Sequence, residues 1–390
     1  MFKNGTKVDL FKNMSPAWSL IPLLAAIFFS LPLLKAGLVW DDIIFESRQL
    51  PYFKKFSDAF FAPAGVESLQ NFYFRPVVLL SYMFDQWVAS SDGYIPAAFA
   101  HAANVGYHLV STLFLYWLAL LLFRGTPYKR FGALVAALIF ALHPIHAETV
   151  MNISGRTDGM ATMFLLAAAV AAIYWRDRGS WTVAISSSIF IILSMLAKEI
   201  GVSALFIIPT LVYFAPYDEG NIKTPSVKRL SIITAIIFFS VVLYLIFRLS
   251  FGFSFGDQSS FGFSEKLIRL AGALGYYLKK SIFVWPQSHF MPEIPFSASD
   301  ISALFAAPAL LGFLLVKRRT GRWWQSAARS FSLPSRHHSL WRLNLSQQLL
   351  LLNVIYICPQ SVCVCCLAIL HQSFGVEFLC VLSCLRRYVR

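Results

Sequence analysis

Residues Ala17 to Val39 form an almost unbroken apolar run, long enough to cross the hydrocarbon core of a bilayer, which takes about 20 residues at roughly 1.5 Å rise each. Similar runs recur at roughly 95–123, 131–143, 159–175, 181–197, 200–215, 230–249 and 301–316. Inside a bilayer no water is present to satisfy backbone amides and carbonyls, so each run must close its own hydrogen bonds as a helix. Apolar residues make up 57% of the chain and charged residues only 13%, far from the balance of a soluble globule. The expected fold class is therefore all-α integral membrane: a polytopic helical bundle of about eight spans.

Basic clusters lie between the runs, at Lys3, Lys7 and Lys12, at Arg124, Lys129 and Arg130, at Arg176 and Arg178, at Lys223, Lys228 and Arg229, and at Lys317 to Arg319. Placing all of them in the cytoplasm gives one consistent alternating topology with a cytoplasmic N-terminus over 1–16. The first run is too long for a signal-peptide core and has no small-residue cleavage site, so it reads as a retained signal anchor. The net charge of +14 sits in these short clusters rather than in a continuous stripe, which argues against nucleic-acid binding. In this topology Asp41, Asp42, His143, Asp158 and Lys198 all fall on the outer face.

Two segments fit less simply. Leu50 to Phe61 mixes Lys54, Lys55 and Asp58 with aromatics and is expected as an amphipathic helix on the membrane, in a large first outer loop that continues through Arg75-Pro76. Ser264 to Pro286 carries too many charges for lipid and is expected to be interfacial or re-entrant. The runs on either side of Lys198-Glu199 read either as two spans or as one broken helix.

The chemistry concentrates in Trp40-Asp41-Asp42 and in His143-Pro144-Ile145-His146-Ala147-Glu148, followed by Gly155-Arg156-Thr157-Asp158. Ionisable groups at membrane depth are costly and mark function more often than stability. On a helix His143 and His146 would share a face and, with Glu148, suit a metal. Pro144 between them favours instead an outer loop lining a water-filled cavity. There His143, His146, Glu148 and Glu199 are cavity-lining, and Asp158 faces Asp41 and Asp42 as a general base or as a holder of a divalent cation. His101, Asn104 and His108 lie on one helical face as inter-helix hydrogen bonders, with His101 also toward the cavity.

Val39-Trp40-Asp41-Asp42, Phe74-Arg75-Pro76, the His101, Asn104 and His108 spacing, the His143 to Asp158 block, and Ser194 to Gly201 with Lys198-Glu199 resemble, in order, the transmembrane O-mannosyltransferases that carry tetratricopeptide repeats, and their bacterial relatives, within the glycosyltransferase C superfamily. The resemblance covers roughly 17–322. It implies a membrane enzyme that passes a sugar from a polyprenyl-phosphate donor to an acceptor hydroxyl of a protein or glycan on the outer face. Asp41 or Asp42 would then be the base, with Asp158 as a third catalytic carboxylate. Lys198, Arg75, Arg156 and Arg248 would stabilise the departing lipid phosphate. A bacterial inner membrane is the expected location, or the endoplasmic reticulum in a eukaryote. A transporter or a non-catalytic membrane protein is the alternative, although no internal repeat of the kind many transporters show is visible.

All six cysteines fall between Cys358 and Cys384, and the rhythm of apolar spans and basic loops is lost from about Trp323 onward. Their spacing fits no standard zinc site. Shifting the reading frame by one base beneath Leu352 to Cys363 permits Glu-Arg-Tyr-Leu-Tyr-Leu-Pro-Ser-Val-Gly-Leu, similar to a motif of the same family. Residues 323–390 are therefore expected to be an aberrant, out-of-frame tail after an incomplete catalytic domain at 17–322. No tetratricopeptide period is visible.

Overall fold

The computed structural model describes residues 15–39, 41–44, 50–61, 74–89, 94–126, 128–217, 227–251 and 262–282. The expected span at 301–316, the cluster Lys317 to Arg319 and the tail lie outside the described residues. Helix α1 (Leu20–Ser30) is entered through a 3-10 turn at Pro16–Ser19 and left through another at Leu31–Lys35, where Pro32 has no N–H to continue the α-helical ladder. Next come the single turn α2 (Asp41–Ile44), α3 (Pro76–Ala89), α4 (Ala97–Leu122), α5 (Lys129–Leu142) and the short α6 (Ala147–Met151). They are followed by α7 (Arg156–Arg178), α8 (Trp181–Ala197), α9 (Ala204–Phe214), α10 (Val227–Ser250) and α11 (Phe263–Ile282).

The all-helical architecture agrees with the sequence reading; the described residues show four or five of the expected spans as helices of full length. Among the described residues four helical stretches are long and apolar enough to cross a bilayer, namely Ala17–Lys35, Ala97–Leu122, Arg156–Arg178 and Lys228–Ser250. A fifth arises if α5 and Pro144–Met151 count as one span, bent by 46° at a proline that cannot extend the ladder. The runs flanking Lys198 are two shorter helices, because Lys198 is extended (φ −158°, ψ 143°). Leu50 to Phe61 is not one amphipathic helix but two 3-10 turns, Leu50–Tyr52 and Phe56–Ala59. Pro51 and the Asp58 carboxylate divide it: Asp58 Oδ2 accepts from the amides of Lys54 and Lys55 at 2.9 and 2.7 Å.

Helices α7 and α8 form an antiparallel hairpin closed by Gly179, whose positive φ of 74° ends α7 as a left-handed cap. Ser187 Oγ donates to the carbonyl of Ala168 at 3.0 Å and Ser194 Oγ to that of Ala161 at 2.8 Å. Seven residues up one helix thus match seven down the other, which fixes the register. Leu115, Leu122, Ala137, Ala168, Ile173 and Ile208 belong to one buried apolar core shared by α4, α5, α7 and α9. Phe28, Phe29, Trp87, Phe206, Phe238 and Phe239 are exposed, as side chains against lipid would be.

The alternation of helix direction sorts the charges. Arg124, Lys129, Arg176, Asp177 and Arg229 gather at one end of the bundle. The start of α4, the end of α5, the start of α7, Lys198 and Arg248 gather at the other. The 23 residues of α7 separate the two ends by about 34 Å, close to the roughly 30 Å of a bilayer core.

Candidate active site

The site is built around the turn at 152–155 that leads into α7. Gly155 is required there by close approach: a Cβ would lie 2.8 Å from the carbonyl oxygen of Thr149 and 2.9 Å from that of Glu148. The amides of Ile153 and Ser154 donate to Asp42 Oδ2 and Oδ1 at 3.0 and 2.7 Å. Asp42 is only 2% exposed, and these bonds tie the end of the first apolar run to a turn more than a hundred residues away. Asp41, next to it, is exposed. The two carboxylates that look equivalent in the sequence therefore differ: one anchors backbone, the other meets solvent.

Asn104 holds the same turn from α4, donating through Nδ2 to the carbonyls of Asn152 at 2.7 Å and Ile153 at 3.3 Å. Its Oδ1 accepts from Arg156 Nε at 2.9 Å. Arg156 is fully buried, paired with Asp85 at 2.6 Å, and bonded to Ser81 Oγ and the Ala100 carbonyl. Its guanidinium lies 4.2 Å from the ring centroid of Tyr82. This corrects its expected place among the phosphate ligands, since a side chain so enclosed presents no face to a ligand. Asp85, Ser81 and Tyr82 were not singled out from the sequence. The available signal was one carboxylate within the otherwise apolar stretch Pro76 to Ala89.

In the first turn of α7, Asp158 Oδ2 accepts from Lys198 Nζ at 2.8 Å, with side chains 25% and 13% exposed respectively. The α7–α8 register dictates this meeting, because it sets the end of α8 against the first turn of α7. Gly201 lets the chain fold back tightly: a Cβ there would lie 2.6 Å from the amide nitrogen of Met195. Glu199 lies between Arg75 at 3.3 Å and Arg248 at 3.0 Å. Arg248 also donates to the Tyr244 hydroxyl at 3.2 Å. Phe74, Phe247 and Phe251, with Phe60 and Phe61 of the first loop, form an aromatic wall beside these arginines.

The histidines form a separate group. His143 Nδ1 accepts from the Ile145 amide at 3.2 Å, capping the short turn Pro144–His146. His146 is buried, its ring centroid 4.5 Å from Phe140 and 5.7 Å from His108. His108 bonds the Ala141 carbonyl through Nε2 at 3.2 Å, as the inter-helix role anticipated. His101, expected in the same role and toward the cavity, is instead fully buried with neither ring nitrogen hydrogen-bonded to a described residue, and Glu148 is exposed. Among the described residues no three His, Cys, Asp or Glu side chains are placed to hold a metal ion. Asp42 is taken up by amides and Asp158 by Lys198, so the expected cation at Asp41, Asp42 and Asp158 does not fit this donor set.

This end of the bundle combines an exposed carboxylate, a carboxylate–ammonium pair open to solvent and two arginines around one glutamate. Such a set can accept a proton and stabilise an anion close together. The chain is distantly homologous to protein O-mannosyl-transferases. It is 26% identical to protein O-mannosyl-transferase TMTC3 of Mus musculus over 213 residues, 52% of this chain and 21% of that protein. It is 27% identical to Tmtc1 of Drosophila melanogaster over 194 residues, 48% and 22% of the two chains. With F38B6.6 of Caenorhabditis elegans it shares 28% identity over 195 residues, 50% and 26% of the two. The chain thus spans about a fifth to a quarter of the length of these relatives. No family profile matches it, and no solved structure does.

Proposed function

We propose that this chain is a membrane glycosyltransferase that moves a sugar, mannose by analogy with the names of its relatives, from a polyprenyl-phosphate donor to an acceptor hydroxyl on the outer face of the membrane, a protein hydroxyl in first place. The observation that carries this reading is the meeting of Asp42, Asp158 and Lys198 at one end of α7, from segments far apart in sequence. Asp41 serves as general base: it takes the acceptor proton as the hydroxyl oxygen attacks the anomeric carbon. The bond from that carbon to the phosphate oxygen breaks with its electron pair, and the lipid phosphate leaves as an anion. Lys198 stabilises the developing charge, with Arg75 as the next cation and the buried Arg248 holding Glu199 beside it. Asp42 holds the segment that presents Asp41, and Asp158 holds Lys198 in place between turnovers. The basic residues clustered at the opposite end of the bundle support placing that end in the cytoplasm and this one outside.

The test is sugar transfer from a polyprenyl-phosphate donor by the purified chain in lipid vesicles. Asp41→Asn is expected to lower turnover by about 10²–10⁴-fold, the usual weight of a general base, with unchanged thermal unfolding. Full transfer by both Asp41→Asn and Asp42→Asn would reject the enzyme reading of the pair. Labelling of a cysteine placed at Asp158 from the cytoplasmic side alone would overturn the topology.

A further inference from the structure

Asp85 is a buried carboxylate that the proposed reaction does not use directly. It lies on α3, 3% exposed, on the helix face that also carries Ser81 and Tyr82. All three groups converge on Arg156 and the turn just before it. Asp85 pairs with Arg156 at 2.6 Å, Ser81 Oγ accepts from the same guanidinium at 3.3 Å, and the Tyr82 hydroxyl donates to the Ile153 carbonyl at 2.7 Å. From Arg156 the connection continues through Nε to Asn104 at 2.9 Å, from Asn104 to the Asn152 carbonyl at 2.7 Å, and through the turn to the amides that bind Asp42. Every side chain along this line is buried: Arg156 at 0%, Asn104 at 3%, Asp42 at 2%.

A buried ion pair contributes little to stability compared with apolar side chains of the same volume, because both charges must be taken out of water. What it supplies is direction. A guanidinium has its N–H bonds in one plane, so fixing one edge on a carboxylate fixes where the others point. Arg156 sits at the first residue of α7, immediately after the turn. Turning its fork would release Asn104, and with it the carbonyls of 152 and 153.

We propose that Asp85 is a positioning residue that, through Arg156 and Asn104, sets the orientation of the 152–155 turn and hence of the Asp41-Asp42 segment. Its catalytic consequence rests on the glycosyltransferase reading above; its structural consequence does not. Asp85→Asn keeps shape but removes the charge that orients Arg156, and Asp85→Glu restores the charge at slightly longer reach.

Hydrogen exchange of the full-length protein in lipid vesicles tests the structural half. In Asp85→Asn, peptides covering 149–156 are expected to exchange at least about tenfold faster, the factor that corresponds to a tenfold larger open population. Peptides of α8 are expected to be unchanged, and Asp85→Glu is expected to recover most of the protection. Unchanged exchange at 149–156, or faster exchange throughout the bundle, would overturn the proposal. Transfer kinetics test the catalytic half: kcat is expected to fall on the order of 10²-fold, as misplacement of about 1 Å can cause, with KM for the donor within twofold of the wild type. A rise in KM with kcat intact would overturn it. If exchange rises at the turn while transfer survives in both Asp85→Asn and Asp41→Asn, the positioning role stands and the enzyme reading of Asp41 fails.

Discussion

Two ion-paired groups on α7 meet water to different degrees: the one at its last turn is enclosed, and the one between its first turn and Lys198, beside the enclosed Arg156–Asp85 pair, is half open. At the arginine-rich end Asp177 is bonded to both Arg124 and Arg176. Arg176 also donates to the carbonyls of Val212, Ala215 and Pro216 at 2.7, 2.6 and 2.9 Å, closing the C-terminus of α9, and lies 4.0 Å from the ring centroid of Tyr217. Arg176 and Asp177 are buried, at 1% and 7% exposure. At the opposite end Asp158 and Lys198 pair with one another but keep 25% and 13% of their side-chain surface in contact with solvent. Charges enclosed in the packing lock helices together. Charges left partly open can exchange one partner for another, which an active site requires.

That contrast predicts opposite effects from substitution at the two ends. Arg176→Met should have the largest effect on stability, about 3–5 kcal/mol, because it leaves buried acceptors and a half-compensated carboxylate. The denaturation midpoint in detergent should drop accordingly, while turnover per folded molecule stays near the wild-type value. Lys198→Met should do the reverse, shifting stability by no more than about 1 kcal/mol and lowering transfer on the order of 10²-fold. Equal losses of stability at both ends would erase the distinction. Gly201→Ala should fall between, costing about 1–3 kcal/mol as the backbone near Met195 gives way, and should lower transfer in step because Lys198 moves with it.

The smallest effect lies outside both ends, in the first loop. The Lys55 and Lys54 amides hold the Asp58 carboxyl below the ordinary aspartate value. A folded-state value that is lowered adds stability above the unfolded value and loses it as pH falls through the folded one. Acidification through that range should loosen the turns at 50–59, seen as faster hydrogen exchange there. Asp58→Asn should remove the pH dependence.

Much of the candidate site was legible because its residues break the local pattern. Asp41 and Asp42 follow an apolar run, Lys198-Glu199 interrupt another, and the His143 to Asp158 block is polar between two apolar runs. The partners were not legible. The ion pair of Arg156 with Asp85 joins residues 71 positions apart, and nothing in the periodicity of Pro76 to Ala89 indicates which helix its one carboxylate faces. The division of labour between Asp41 and Asp42 was equally hidden, since it depends on where the amides of Ile153 and Ser154 point. Leu50 to Phe61 was misread because its alternation of lysine and aromatic residues mimics an amphipathic helix, whereas a proline and an aspartate that binds nearby amides favour tight turns.

Ser187 and Ser194 of α8 have a consequence far from where they sit. A slip of the hairpin by one helical turn would carry the ammonium of Lys198 about 5.4 Å from its carboxylate and would also strand two hydroxyls opposite the wrong carbonyls in an apolar interior. The spacing of Asp158 and Lys198 is thus measured out deep inside the bundle, by Ser187 and Ser194 acting as the notches of a ruler.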